Sequence, residues 1–306
     1  MISILAPILL LVLLGIFLGR LRFLGAEFSA DLNKLVFWIA LPALLFRSVA
    51  RAEHPGPQTF SLLALLISAT LVSALAGWLL ALALRLPAMS RGTLSQSAFR
   101  GNLAYIGIPV LAYAFADQPG SSEAFGTAVI VMAVLMIFYN VLAVVVLSIG
   151  HHSDNPVRTA AASIFTNPLL LAGMAGLPLA LTGTRLPLFL DRALESLGGA
   201  AVPIALLCIG GTLAHARIGD RLREIIGAAA LKTFVLPALV FFSAPVFGLA
   251  GTDLRIALVL SACPTAAAAF VMARQMGGDG PLASGSIVMS TVFAAVSLPL
   301  ALFFSR

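Results

Sequence analysis

Arg100, Gly101, Asn102, Tyr105, Gly107 and Pro109 interrupt an otherwise apolar part of the chain, and Cys263, Pro264 and Thr265 form a second interruption; Pro109 and Pro264 are 155 residues apart. These residue types suit binding rather than bond-making. A proline cannot donate to the carbonyl four residues back, so Pro109 frees that of Tyr105 and Pro264 that of Leu260. A half-helix that starts at such a proline presents unpaired N–H groups and about half a positive charge. Two such ends, with Arg100 and Lys232 as full charges and Asn102, Tyr105 and Thr265 as orienting hydrogen-bond partners, would hold an anion. Each feature also has a bland reading. Pro109 can be a simple kink, and Lys232 can be a cation snorkelling to the inner interface. Cys263 and Cys208 read as small buried hydrophobes, although Cys263, beside the break, is also expected to be open to a small maleimide.

The elements that must carry these residues are membrane helices. Of 306 residues, 60% are hydrophobic and 10% charged, and the mean hydropathy is +1.07. That leaves too little polar surface for a soluble fold. Ten apolar segments are expected near 2–19, 31–50, 59–85, 92–116, 125–149, 163–182, 197–215, 224–248, 254–276 and 283–304, with ends uncertain by a few residues. The fourth holds Arg100, Asn102, Gln96, Ser95 and Ser97. One central arginine in lipid costs about 2.5–3.5 kcal/mol, so this helix must face protein or water.

Internal repetition organises the ten. Pro7 and Pro168, Gly15 and Gly176, and Pro42 and Pro203 are each 161 residues apart. The chain therefore reads as two five-helix repeats, 1–150 and 151–306, on either side of a polar gap at His151 to Arg158. A unit that crosses an odd number of times leaves its ends on opposite sides, so the second repeat must be inverted, the topology of many alternating-access carriers. The fold expected is an all-α polytopic membrane protein of ten transmembrane helices in two inverted five-helix repeats, with helices 4 and 9 broken at proline.

Basic residues orient it. With the N-terminus outside, Arg20, Arg22, Lys34, Arg85, Arg91, Arg158, Arg217, Arg221, Arg223 and Arg274 fall on the cytoplasmic side, and Arg47, Arg51, Arg185, Arg192, Arg255 and Arg306 on the other. This places both termini outside a multi-pass protein of the cell inner (plasma) membrane. The net charge of +6 is then an inner-face excess and does not imply nucleic acid. Arg20 and Arg22 follow the first apolar run and no small-residue cleavage site is present, so that run reads as a retained helix. Asn140 in segment five needs a helix neighbour. Gly15-x-x-x-Gly19 reads as helix packing. No metal or cofactor spacing exists, and His151 and His152 read as solvated loop residues.

Leu35 to Phe46, Asn102-Leu-Ala-Tyr-Ile-Gly107-Ile-Pro109, Gly210-Gly-Thr-Leu-Ala214 and Cys263-Pro264-Thr-Ala make the chain resemble the auxin efflux carrier family, in particular its bacterial malonate and organic-acid permease branch. The resemblance covers essentially the whole chain. It implies that helices 4 and 9 cross at their prolines beside the substrate, that helices 1, 2, 6 and 7 form a scaffold, and that helices 3–5 and 8–10 form a moving, elevator-type transport domain. Asn102 falls on a family substrate position, and Pro109 and Pro264 on the crossover prolines. The short connector at 151–158 departs from the long loop of plant members, so regulation through that loop and the plant hormone as substrate are not expected.

The function expected is secondary transport of small organic anions, mono- or dicarboxylates, with the lipid bilayer as the other partner. Homodimerisation and coupling to H⁺ or Na⁺ stay open. A sodium-coupled organic-anion symporter of the bile-acid type is the alternative, since freed carbonyls and hydroxyls can bind Na⁺ without a carboxylate. An intramembrane enzyme or a receptor is the remote one, since no H-E-x-x-H, G-x-S-x-G or P-loop sequence is present.

Overall fold

A computed structural model describes residues 2–51, 57–116, 120–149, 168–214 and 221–305; the gap at His151 to Arg158, and Arg217 and Arg306 of the charge count, lie outside the described residues. In chain order the helices are α1 (Ile2–Arg20), α2 (Ala26–Leu35), α3 (Leu41–Ala50), α4 (Pro57–Ala83), α5 (Ala88–Phe99), α6 (Ile108–Phe115), α7 (Ser121–Ile149), α8 (Pro168–Thr182), α9 (Leu188–Ala214), α10 (Leu222–Ala230), α11 (Leu236–Ser243), α12 (Gly251–Ala262), α13 (Ala268–Gln275) and α14 (Gly280–Phe304). Strands are absent among the described residues. Among the described residues, six stretches are long and apolar enough to cross a bilayer: Glu27–Ala50, Gln58–Ala83, Glu123–Ile149, Leu188–Gly211, Leu222–Phe247 and Gly280–Phe304. Shorter apolar helices occupy Leu10–Arg20, Leu103–Phe115 and Leu171–Thr182. With no water in hydrocarbon, the backbone of such runs must satisfy itself, and the helix does so within one segment.

Three prolines are accommodated without a break. Wide π-turns at Val36–Ala40, Leu103–Gly107 and Leu231–Val235 each run into a helix whose second residue is Pro42, Pro109 or Pro237. A proline leaves the carbonyl four residues back without its donor. Here the amide just before the proline reaches one residue further back instead: Leu41 N–H bonds Val36 O, and Leu236 N–H bonds Leu231 O. The chain widens for one turn and continues.

The chain divides into two compact units. Unit 1 comprises residues 1–59, 104–133 and 165–216, and unit 2 comprises 60–103, 134–164 and 217–306. In unit 1, α1 lies against α9 and α3 against α8, at distances only glycine permits. A Cβ on Gly15 would strike the backbone at Leu207 and Gly210, and one on Gly176 would meet Phe46 O at 2.8 Å and Val49 Cβ at 3.1 Å. Gly15 and Gly176 differ by 161, as do Phe46 and Leu207, and Val49 and Gly210. The two contacts therefore join positions 161 residues apart with the partners exchanged. Close approach of small residues is what holds membrane helices together when lipid is as apolar as the side chains.

This makes a prediction for one helix. Gly210→Ala should destabilise by about 1–3 kcal/mol through overpacking, because the new Cβ meets Gly15 Cα and Ile16 N at 2.8 Å. Gly199→Ala, in the same α9, meets nothing within 4 Å and should be neutral or stabilising by up to about 1 kcal/mol. Thermal unfolding of the two purified variants checks this, and equal shifts would contradict the packing. At the end of the same unit Asp191, 5% exposed, receives Arg47 at 2.9 Å and also Arg51, while Glu195 reaches Arg47 at 3.2 Å.

Candidate functional site

In unit 2 the polar helix α5 is buried rather than lipid-facing. Ser90, Thr93, Ser95, Gln96 and Ser97 are each 0% exposed. Two of them reach backbone of neighbouring elements: Ser95 Oγ donates to Ala74 O at 2.8 Å and Gln96 Nε2 to Ala269 O at 2.8 Å, while Ser73 Oγ donates to Ala98 O at 2.8 Å. Gln96 Oε1 and Ser97 Oγ stay buried with no partner among the described residues.

The helix stops at Phe99, well before Pro109. Arg100 turns extended, with φ −73° and ψ 94°, and the π-turn begins at Leu103. A second interruption follows α12, where Cys263 has φ −56° and ψ 140°, and helix resumes at Ala268. The two interruptions pair with each other. Gly101 and Thr265 form an antiparallel bridge, in which Asn102 N–H donates to Pro264 O at 2.7 Å and Ala266 N–H to Arg100 O at 2.8 Å. Each break thus takes an amide of the other, which satisfies backbone that lipid could not.

The register of the breaks also differs from the proline spacing. A shift of 164 carries Asn102 to Ala266 and Arg100 to Pro264, so it exchanges the two cross-break bonds. Pro264 is then opposite Arg100, and the 155-residue spacing of Pro109 and Pro264 is not the register of the crossing. Pro109 misled because its missing donor is absorbed by a π-turn, whereas Pro264 stands inside its break.

Side chains finish the crossing. Thr265 Oγ1 donates to Ser97 O at 2.8 Å, and Thr265 N–H donates to Ser290 Oγ at 3.0 Å. Lys232 is 0% exposed; its Nζ donates to Ser261 O, and its stem lies where a Cβ on Gly101 would come within 3.4 Å of Lys232 Cε. The snorkelling reading therefore does not describe this lysine. Arg100, 7% exposed, donates to Asn140 Oδ1 and to the Met272 sulfur, which supplies the neighbour Asn140 needs. All these partners are neutral. The described carboxylates of unit 2 are Glu224, Asp253 and Asp279; Glu224 and Asp279 pair with Arg221, and Asp253 sits in the first turn of α12. Two buried cations thus meet one crossing with no carboxylate bound to either among the described residues.

Of the residues the sequence singles out, Arg100, Asn102, Lys232, Cys263, Pro264 and Thr265 are brought together in unit 2. Tyr105 and Pro109 belong to unit 1, where the Tyr105 hydroxyl donates to Asn33 O at 3.2 Å. Both cysteines are buried, and Cys263 Sγ lies on Val259 O at 3.2 Å, so Cys263 is closed to maleimide in this conformation. Sequence reasoning missed Ser97 and Ser290. A signal for the latter exists: Ser286, Ser290 and Ser297 are spaced four and seven apart on the apolar helix α14, and all are buried.

A family profile for membrane transport proteins matches residues 1–302 of this chain. The chain belongs to that family, the auxin efflux carriers. Among relatives of this membrane transport protein, an uncharacterized transporter of Methanothermobacter thermautotrophicus is 27% identical, covering 96% of the chain and 94% of the relative. A "Putative malonate transporter" of Rhizobium meliloti is 26% identical, with 98% and 94% covered. The uncharacterized transporter YfdV of Escherichia coli K12 is 23% identical, with 99% and 96% covered. The protein is a multi-pass membrane transporter by family and by its apolar helices.

Proposed function

We propose that this transporter is a secondary carrier of small organic anions, mono- or dicarboxylates, and not an enzyme. One observation carries the reading: Arg100 and Lys232 are buried at the crossing with only neutral partners among the described residues. A buried charge without a counter-ion costs several kcal/mol, and an anion arriving beside the crossing offsets that cost for both cations at once. Asn102 and Thr265 stand at the same place to orient it. The malonate named for the Rhizobium relative is a compound of this class.

The cycle proposed is alternating access in two inverted five-helix repeats, with helices 3–5 and 8–10 moving as an elevator and both termini outside the inner membrane. The exchanged glycine contacts of unit 1 and the exchanged hydrogen bonds of unit 2 support a two-fold relation between the repeats. Counterflow tests the function. Vesicles preloaded with unlabelled carboxylate should accumulate labelled carboxylate transiently above equilibrium, whereas binding without accumulation would point to a receptor. Running the same vesicles with and without Na⁺ at fixed potential decides the bile-acid-type alternative, which requires sodium.

A further inference from the structure

At one end of unit 2 the close of α4 and the starts of α5, α10 and α14 share a small core of Ala81, Leu86, Leu94, Ile225, Ala228 and Leu282. Three arginines stand close to its members along the chain. Arg85 precedes buried Leu86, Arg223 lies two residues before Ile225, and Arg91 donates its Nε to Leu86 O at 2.8 Å, leaving its two terminal nitrogens over. The described carboxylates of this end are already used: Asp279 takes Arg221, Ser90 Oγ and the amide of Leu282, and Glu224 takes Arg221. Among the described residues Arg85, Arg91 and Arg223 have no carboxylate partner. Beside them stand exposed apolar side chains, Leu82 at 42%, Met89 at 43% and Leu222 at 49%, which in a membrane transporter meet lipid.

Arg85 shows a second peculiarity. It closes α4 in the left-handed region, with φ 54°, where Leu86 N–H reaches Ala81 O and Arg85 N–H reaches Leu82 O at 2.9 Å. Glycine is the usual residue at that turn, because a side chain there crowds the following carbonyl. A cation held in a disfavoured backbone conformation, with two more nearby that have no counter-ion among the described residues and with lipid-facing apolar groups close by, is what a phosphodiester on an apolar tail would recognise.

We propose that Arg85, Arg91 and Arg223 form a headgroup site for an anionic phospholipid. The guanidinium forks take the phosphate oxygens, and Leu82, Met89 and Leu222 meet the acyl chains. The site is separate from the crossing and independent of which anion is carried. Near an anionic lipid surface one arginine is worth about fivefold in partition.

Native mass spectrometry of the purified full chain, released from micelles holding equal phosphatidylglycerol and phosphatidylcholine, tests it. The wild type should retain phosphatidylglycerol in preference, and the triple variant R85Q/R91Q/R223Q should lose about tenfold or more of that preference. Arg85→Gly covers the case in which the triple variant fails to fold, since glycine suits the left-handed turn. It should lower the preference about fivefold without lowering the melting temperature. Free inorganic phosphate should not reproduce the thermal stabilisation that phosphatidylglycerol gives. An unchanged lipid ratio in Arg85→Gly, or equal stabilisation by free phosphate, would overturn the proposal.

Discussion

Arg100→Gln is expected to weaken binding of the transported carboxylate by about 10- to 150-fold, the equivalent of about 1.5–3 kcal/mol for one charge-assisted hydrogen bond. Among the described residues the guanidinium has no charged partner to hold it. It is buried, its described partners Asn140 and Met272 carry no charge, and its own backbone carbonyl receives the amide of Ala266 in the crossing. Loss of the charge removes the attraction, while the backbone pairing has no need of the side chain. Arg100→Lys keeps the charge but not the planar fork and should recover part of the affinity. A binding isotherm with labelled carboxylate checks both variants. Affinity unchanged in Arg100→Gln would remove this residue from the site.

The second large effect has two opposite signs. Lys232→Met should abolish transport and yet leave the protein as stable as before or more so. A fully buried ammonium with a single carbonyl acceptor is held against its own desolvation, and exchanging buried charges for apolar groups of similar volume is often neutral or stabilising by about 1–4 kcal/mol. Methionine fills the stem's place beside Gly101, and the Ser261 carbonyl loses one donor, which limits the gain. Melting temperature and counterflow are to be measured on the same preparation. A sharp fall in melting temperature together with lost transport would make Lys232 a structural residue; full transport would exclude it from the function.

Much of this was readable from residue types. The membrane class follows from composition, and the burial of α5 follows from the price of Arg100, Gln96 and the serines in lipid, which the structure resolves by packing them against protein. The second interruption falls at Pro264 as read from the sequence, whereas the first falls at Arg100–Asn102, ahead of the proline expected to break that helix. The pairing was not legible. Proline is visible in sequence as a missing donor, but whether the chain breaks there or widens by one hydrogen bond depends on neighbours: Pro109 sits after a π-turn and Pro264 inside a break. Backbone bonds such as Asn102 to Pro264 involve atoms every residue has, so side-chain chemistry cannot announce them. The same holds for Ser97, whose carbonyl rather than hydroxyl meets Thr265. Lys232 shows the reverse failure. Its position near a helix end suggested an interfacial cation, and only the fold reveals that the surrounding helices enclose it.

The central claim is that an organic anion is carried beside two buried cations at the crossing of unit 2. Currents recorded from proteoliposomes on a solid-supported membrane, after a rapid jump in carboxylate concentration, test it most directly. Mono- or dicarboxylate jumps should evoke a substrate-dependent current in the wild type that needs a much higher substrate concentration in Arg100→Gln and is lost in Lys232→Met. No response to any carboxylate across the panel, or wild-type currents in both variants, would contradict it.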